Sequence, residues 1–295
     1  MFDLWRTVKK ESLLESKENI VSTKMPISLP ILKDLLSGSN DITFRDINLG
    51  KNEIITLCYV EGLVNIPLID ETILKPIVNE QVSNNNLSVK DVYSNIKAGL
   101  IYHAAYSLET DINKCVDAIL SGNVCLIGNK ENTSVLFEVK GFERRGLSEP
   151  SEENVLKGSK DCFIEVLRIN TALIRRKIRN KDLKIEETTI GNEGKTNVAI
   201  IYLDNKVDKA ILSELKSKIN NIKIDNLITT DSFEEQLVPS HSKLFPQLLY
   251  TERPDKLCSN IDDRKNSSAS RWPSNSIYCA FCFFYVYAST RRLFF

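Results

Sequence analysis

Histidine is almost missing from this chain: His103 and His241 are the only two in 295 residues, and neither has a cysteine or carboxylate at metal-ligand spacing. Each reads as an ordinary core-edge or loop residue, which leaves no histidine-built metal or acid–base centre. Excess charge is missing too, since 39 basic and 39 acidic side chains cancel. Nucleic acid is therefore not implied as a partner. No apolar run reaches the roughly 20 residues of a membrane-spanning helix; Ile277 to Ala288 stops at twelve. Met1 to Lys51 carries charges throughout and has no apolar segment of the secretory kind. The seven cysteines are scattered and odd in number, as reduced thiols are, and only Cys279 and Cys282 stand at CxxC spacing, with no second half-site for zinc. No nucleophile–base pair shows either, so the chain reads as a non-enzyme that needs no cofactor.

What is present is a globular composition, 42 % hydrophobic and 26 % charged, long enough for two modest domains. Residues 1–39 are polar, interrupted by Pro26 and Pro30, and read as a mobile N-terminal arm. Residues 40–142 mix periods: Ile54 to Val60 suits a buried strand, while Ile69 to Val82, Leu87 to Leu100 and Leu108 to Leu120 have helical spacing. Ser121-Gly122 closes the last of these, and Val124 to Ile127 and Val135 to Val139 read as strands around a turn. Residues 143–261 repeat the mixture. A helix is predicted from Asp161 to Ile178, followed by Leu183 to Ile190, the strand Asn197 to Leu203, a helix from Val207 to Ile219 and a further strand over 222–228. The predicted class is α/β (mixed α+β), two small subdomains each built around its own sheet.

The helix near residue 170 carries sharper expectations. Phe163, Leu167 and Ile174 share an apolar stripe with Asn170, whose buried amide then needs a loop to bond. Arg175 and Arg176 are expected on the solvent side of its last turns, where cations complement the helix dipole. Glu149, Glu152 and Glu153 lie in a turn close to Arg144 and Arg145, an arrangement for ion pairing rather than acid–base work. Gly191 to Thr196 ends in Gly-Lys-Thr, but its glycines stand three apart and it precedes a strand, which excludes a phosphate-binding P-loop.

Two stretches carry a resemblance. Arg144-Arg145, Ser148-Glu149-Pro150, Ser151-Glu152, Gly158, Phe163-Ile164-Glu165, Asn170 and Leu173-Ile174-Arg175-Arg176 resemble the signature of the GerA family, the A subunits of nutrient germinant receptors of spore-forming bacteria. Downstream, Phe245-Pro246-Gln247 and Thr251-Glu252-Arg253-Pro254-Asp255 are similar to a second family signature. The resemblance runs from about residue 40 to Ile261. It implies a cytosolic region of two α/β subdomains, B and C receptor subunits as partners, and a small nutrient such as an amino acid or sugar as stimulus. It also implies a place at the spore inner membrane, on its cytosolic side, with membrane contact only through a C-terminal region that this sequence does not show. The signature residues, Arg144, Glu149, Pro150, Glu152, Gly158, Asn170, Arg175, Arg176, Glu252, Arg253, Pro254 and Asp255, are then structural or interaction residues. A stand-alone protein closing two domains on a small molecule is the competing reading.

Residues 262–295 depart from the family pattern. Codons for Tyr285 to Phe294 exist that in the neighbouring frame read Met-Phe-Met-Gln-Ala-Pro-Glu-Asp-Tyr, like the missing family motif, and Asp263 to Ser267 and Ser270 to Trp272 hide similar fragments. The expectation is a reading-frame shift near Ile261, leaving an aberrant aromatic tail in place of the final strand and an exposed apolar patch.

Overall fold

The computed structural model describes residues 25–50, 52–83, 87–101, 105–141, 161–227, 230–237, 248–262, 277–281 and 284–288. Two five-stranded sheets, each clothed by helices on both faces, account for these residues.

The first sheet joins β1 (Ile42–Gly50), β2 (Glu53–Val60), β4 (Val124–Gly128), β5 (Ser134–Phe137) and β3 (Tyr106–Glu109) in that order, every pair antiparallel. Alternation along the strands sorts side chains onto two cores. Ile55, Leu57, Leu126, Val135 and Phe137 face one core with the helical segment 66–83 and α4 (Val89–Lys97). Cys58, Val60, Cys125, Ile127 and Leu136 face the other, with α1 (Leu29–Leu35) and α5 (Ile112–Leu120). Burial on both faces explains why these strands read as apolar runs. Segment 66–83 is α2 (Ile66–Ile69), a π-helical turn (Asp70–Leu74) and α3 (Lys75–Ser83).

The second sheet runs β6 (Leu183–Ile190), β7 (Thr196–Leu203), β9 (Ile277–Phe281), β10 (Phe284–Ala288) and β8 (Leu248–Thr251). Val198, Ile200 and Tyr202 meet α7 (Lys209–Asn220) and α8 (Thr230–Leu237), while Ala199, Ile201 and Leu203 meet α6 (Leu167–Lys177) and α9 (Pro254–Asp262). Helix α6 serves both subdomains: Ala172 belongs to the core of the first, and Leu173 and Ile174 to that of the second.

Several expectations change. Residues 25–39 of the expected arm are packed, with Ile27, Leu32 and Leu36 buried under the first sheet; three apolar residues on a short Pro-started helix make too brief a pattern to stand out as a face. The rest of the arm, 1–24, lies outside the described residues. Helix α5 starts at Ile112, not Leu108, because the Asp111 carboxylate caps it by accepting the Asn113 amide at 3.0 Å. Residues 106–109 are thereby free to form β3. Strand β1 goes unpredicted, since its half-exposed edge position leaves the sequence ITFRDINLG without a clean apolar face. Over 222–227 there is no strand but one bridge, Gly194 to Asn226. This segment instead closes over the β6–β7 turn, its Ile224 and Asp225 carbonyls accepting the amides of Asn192, Glu193 and Gly194. The tail expected to be aberrant supplies two strands, β9 between β7 and β10, and β10 against β8. Its aromatic and β-branched residues suit strands whatever their origin.

Candidate functional site

Helix α6 begins later than its periodicity suggests, at Leu167. Asn170 sets that start: its amide is buried, accepts the Ile164 N–H at 2.9 Å and donates back to the Ile164 carbonyl, so the backbone before the helix is held extended. Phe163 is buried from this extended segment. Leu167 is half-buried at the edge of the same core and Ile174 is fully buried.

One face of α6 looks across to the first subdomain, at the helical spacing 168, 172, 175. Arg175 sits there, not in solvent as expected. Its Nε and Nη2 each reach an oxygen of Asp41 at 2.9 Å, and Nη1 donates to the Leu183 carbonyl at 2.9 Å. Arg175 is 0 % and Asp41 1 % exposed. Helical periodicity on its own cannot show a carboxylate from another subdomain, so Arg175 turns inward against expectation; Arg176, by contrast, is exposed. Around the pair, residues 37–41 lie along the edge strand β6: Asn40 N–H donates to Ile185 O at 2.8 Å, Glu187 N–H to Asn40 Oδ1 at 3.1 Å and Lys184 Nζ to Ser37 O. The edge of β6 is thereby covered from Leu183 to Glu187.

Two turns earlier Arg168 spans the same seam. Its guanidinium stands 3.3 Å from Glu61 of the first subdomain and 3.0 Å from Glu187 of the second. Thr43 Oγ1 donates to the other Glu61 oxygen at 2.6 Å. Burial pushes the Glu187 carboxyl up, against the pull of Arg168. Between the two arginines, Gly62 lets the chains touch: with φ at +80°, an added Cβ would lie 3.0 Å from Ala172 Cβ and 3.2 Å from Arg168 O. Beyond Arg168 the seam opens into a cleft of about 470 Å³. Asn65, Ile66 and Pro67 wall it on one side and Val166, Ile169 and Arg176 on the other. Apolar walls with a few convergent polar groups are what a small-molecule site offers. Arg168, Glu61, Glu187 and Asp41 were not among the residues singled out from sequence, and no spacing pattern marks them.

The second signature packs beside the first. Glu252 O accepts the Phe163 N–H at 2.8 Å, and Leu257, Cys258 and Ile261 of α9 share the core of Phe163 and Ile174. Arg253 grips Asp255 through two hydrogen bonds, of 3.1 and 2.6 Å, at the first turn of α9, and this holds the Asp255 carboxyl below its usual range. Pro254 is buried at the start of that helix. Arg144, Glu149, Pro150, Glu152 and Gly158, the expected Glu149–Glu153 ion-pair turn, and both histidines lie outside the described residues.

Among the described residues no group of three or more His, Cys, Asp or Glu could hold a metal ion, and no helix is long and apolar enough to cross a membrane. Cys58 and Cys125 are cross-strand partners, and Cys115 Sγ lies 2.9 Å from Ser134 Oγ; all three thiols are free and buried. The segment ending Gly-Lys-Thr is the β6–β7 turn, with Thr196 opening β7.

Comparison with known proteins gives one consistent result. The chain is 30 % identical over 260 residues to the uncharacterized membrane protein YfkQ of Bacillus subtilis (strain 168), covering 85 % of this chain and 48 % of that protein. It is 26 % identical over 242 residues to spore germination protein B1 of the same organism, covering 82 % and 49 %. It thus spans about half the length of the curated relatives it matches. In fold it is similar to the crystal structure of the N-terminal domain of the A subunit of the Bacillus megaterium spore germinant receptor GerK3, with a TM-score of 0.63 and 21 % identity over 90 % of this chain and 97 % of that one. The family model described as Bacillus/Clostridium GerA spore germination protein matches residues 30–263.

Proposed function

The chain belongs to the GerA family of Bacillus and Clostridium spore germination proteins, and from that premise we propose that it is the N-terminal sensing and interaction module of a germinant-receptor A subunit. In this reading the seam between the subdomains takes a small nutrient, and the module passes the occupied state to B and C receptor subunits. It works on the cytosolic side of the spore inner membrane, and its part is binding and transmission, not catalysis.

The observation that carries this reading is the cleft at the seam, whose walls come from both subdomains and which Arg168 lines. A ligand held there contacts both halves at once and so favours one relation between them over another, which is what a sensor requires.

The test is made in spores carrying the full gene. Ile169→Trp fills the cleft, and its expected effect is loss of nutrient-triggered germination at unchanged subunit level on immunoblot. Spores that germinate like the parent with that side chain in place would remove the cleft from the account. Germination triggered by a route that bypasses the nutrient receptors, if retained in the variant, separates a receptor defect from a general one.

A further inference from the structure

The two arginine clusters on α6 differ in kind, and the difference points to a motion. At Arg175 the seam is dry: the guanidinium and the Asp41 carboxylate are 0 % and 1 % exposed, and Leu183 O and Asn180 O take further N–H groups at 2.9 and 3.3 Å. Separating that pair strands a charge where water cannot reach it. At Arg168 the seam is wet on the Glu61 side. Arg168 and Glu61 are each about a third exposed, so that contact across the seam exchanges for water at small cost, whereas Arg168 Nη1 and Glu187 Oε1, 3.0 Å apart, are both buried. Seven residues of helix separate the two, roughly 10 Å along the axis. A tilt of about 10° at one end therefore moves the other by roughly 2 Å.

We propose that α6 is a rocker: Arg175 and Asp41 form a fixed pivot, and Arg168, held by Glu187 on its own side, forms with Glu61 a releasable clamp that opens and closes the seam at its far end. Ala172 against Gly62 is the rolling contact between them, close enough that a Cβ on the glycine side would be crowded. Residues 37–41 strap the pivot to β6 through hydrogen bonds to Ile185 and Glu187, so the ends of that strand differ in freedom. Arg175 is a positioning residue in this scheme: it touches nothing in the cleft and acts by fixing where Arg168 stands. The device holds whether or not the cleft takes a ligand.

The test reads the two ends separately in the same protein. Hydrogen exchange at the Asn40 and Ile185 amides reports the pivot. Pulsed electron paramagnetic resonance between genetically encoded spin labels at the exposed positions Lys75 and Lys195 reports the clamp end. Arg168→Ala is expected to shift or broaden the label distance while pivot amides exchange within roughly twofold of the parent. Arg175→Lys is expected to speed pivot exchange by at least roughly tenfold, and Asp41→Asn serves as the second disruption should Arg175→Lys not fold. Arg168→Ala that leaves the label distances unchanged, or that loosens the pivot amides as much as Arg175→Lys or Asp41→Asn does, overturns the proposal: the first outcome means no clamp, the second a single rigid interface.

Discussion

Arg175 and Asp41, 134 residues apart in sequence, meet inside the protein through two charge-assisted hydrogen bonds of 2.9 Å. Removing one partner leaves the other charged in a dry place, which is costlier than removing both. Arg175→Met is therefore expected to lower the unfolding free energy by about 3–5 kcal/mol. Arg179→Met, on the exposed side two residues past the helix, should change it by no more than about 0.5 kcal/mol. Urea denaturation of the two variants side by side checks this, and equal effects would contradict the burial described.

A second expectation concerns the apolar side of α6. Ile174 is fully buried between α6, α9 and the second sheet, so Ile174→Ala should cost about 2–5 kcal/mol. Leu167, half-buried at the helix start, loses less on truncation, at most about 2 kcal/mol. The order of the two thermal shifts is the measurement.

The seam itself can be wedged. Gly62→Ala places a methyl against Ala172 and Arg168 O at a residue whose φ is +80°, and the strain should cost about 1–3 kcal/mol. Calorimetry on this variant should show that loss, with faster exchange of the amides along the seam.

Acid acts on the second signature in a calculable direction. The Asp255 carboxyl is held low chiefly by its hydrogen bond from Arg253, so its ionised form is favoured in the folded state. That contribution is whole above the unfolded carboxyl value near pH 4 and fades as pH falls through the lower folded one. The stability gap between the parent and Asp255→Asn should therefore be constant near neutral pH, at most about 1 kcal/mol, and close in strong acid. A gap that widens on acidification would reverse the assignment.

Thiol chemistry offers a test of the cores. Burial pushes Cys258 up to about 12 and raises Cys58, and the hydrogen bond with Cys115, together with burial, raises Cys125. At pH 8 none of the three should react with a disulfide reagent in the native protein, and all should react in urea, with peptide mapping to identify each site. Native-state labelling of Cys58 or Cys125 would mean that the sheet between α5 and α4 is open.

How much of this was legible in the sequence depends on where the determining partner lies. The strands around Cys58, Leu126 and Ile201 announced themselves because sheets covered on both faces write unbroken apolar runs. Asn170 announced its need for a loop because an amide on an apolar stripe has few alternatives. Arg175 did not, since three basic residues at a helix end look alike until the carboxylate opposite one of them is known. β1 stayed hidden because an edge strand with Arg45 and Asp46 exposed on its two faces has neither period to offer. The cleft had no signal at all: Asn65, Arg168 and Ile169 are ordinary residues made adjacent by the docking of one subdomain on the other.

The strand order of the second sheet sets a timetable for synthesis. β7 is finished at Leu203, but its neighbour β9 begins at Ile277, and α7, α8, β8 and α9 are made in between. The first sheet has all five strands by Phe137. A nascent chain can thus complete its first half early, while β7 waits with one side unpaired, the kind of delay that exposes an edge to wrong partners. α6, made soon after the first half, already has Asp41 and Gly62 to dock on, and in docking it brings β6 under the strap of residues 37–41. The first subdomain then works as an internal scaffold, holding one side of an unfinished sheet until its last strands leave the ribosome.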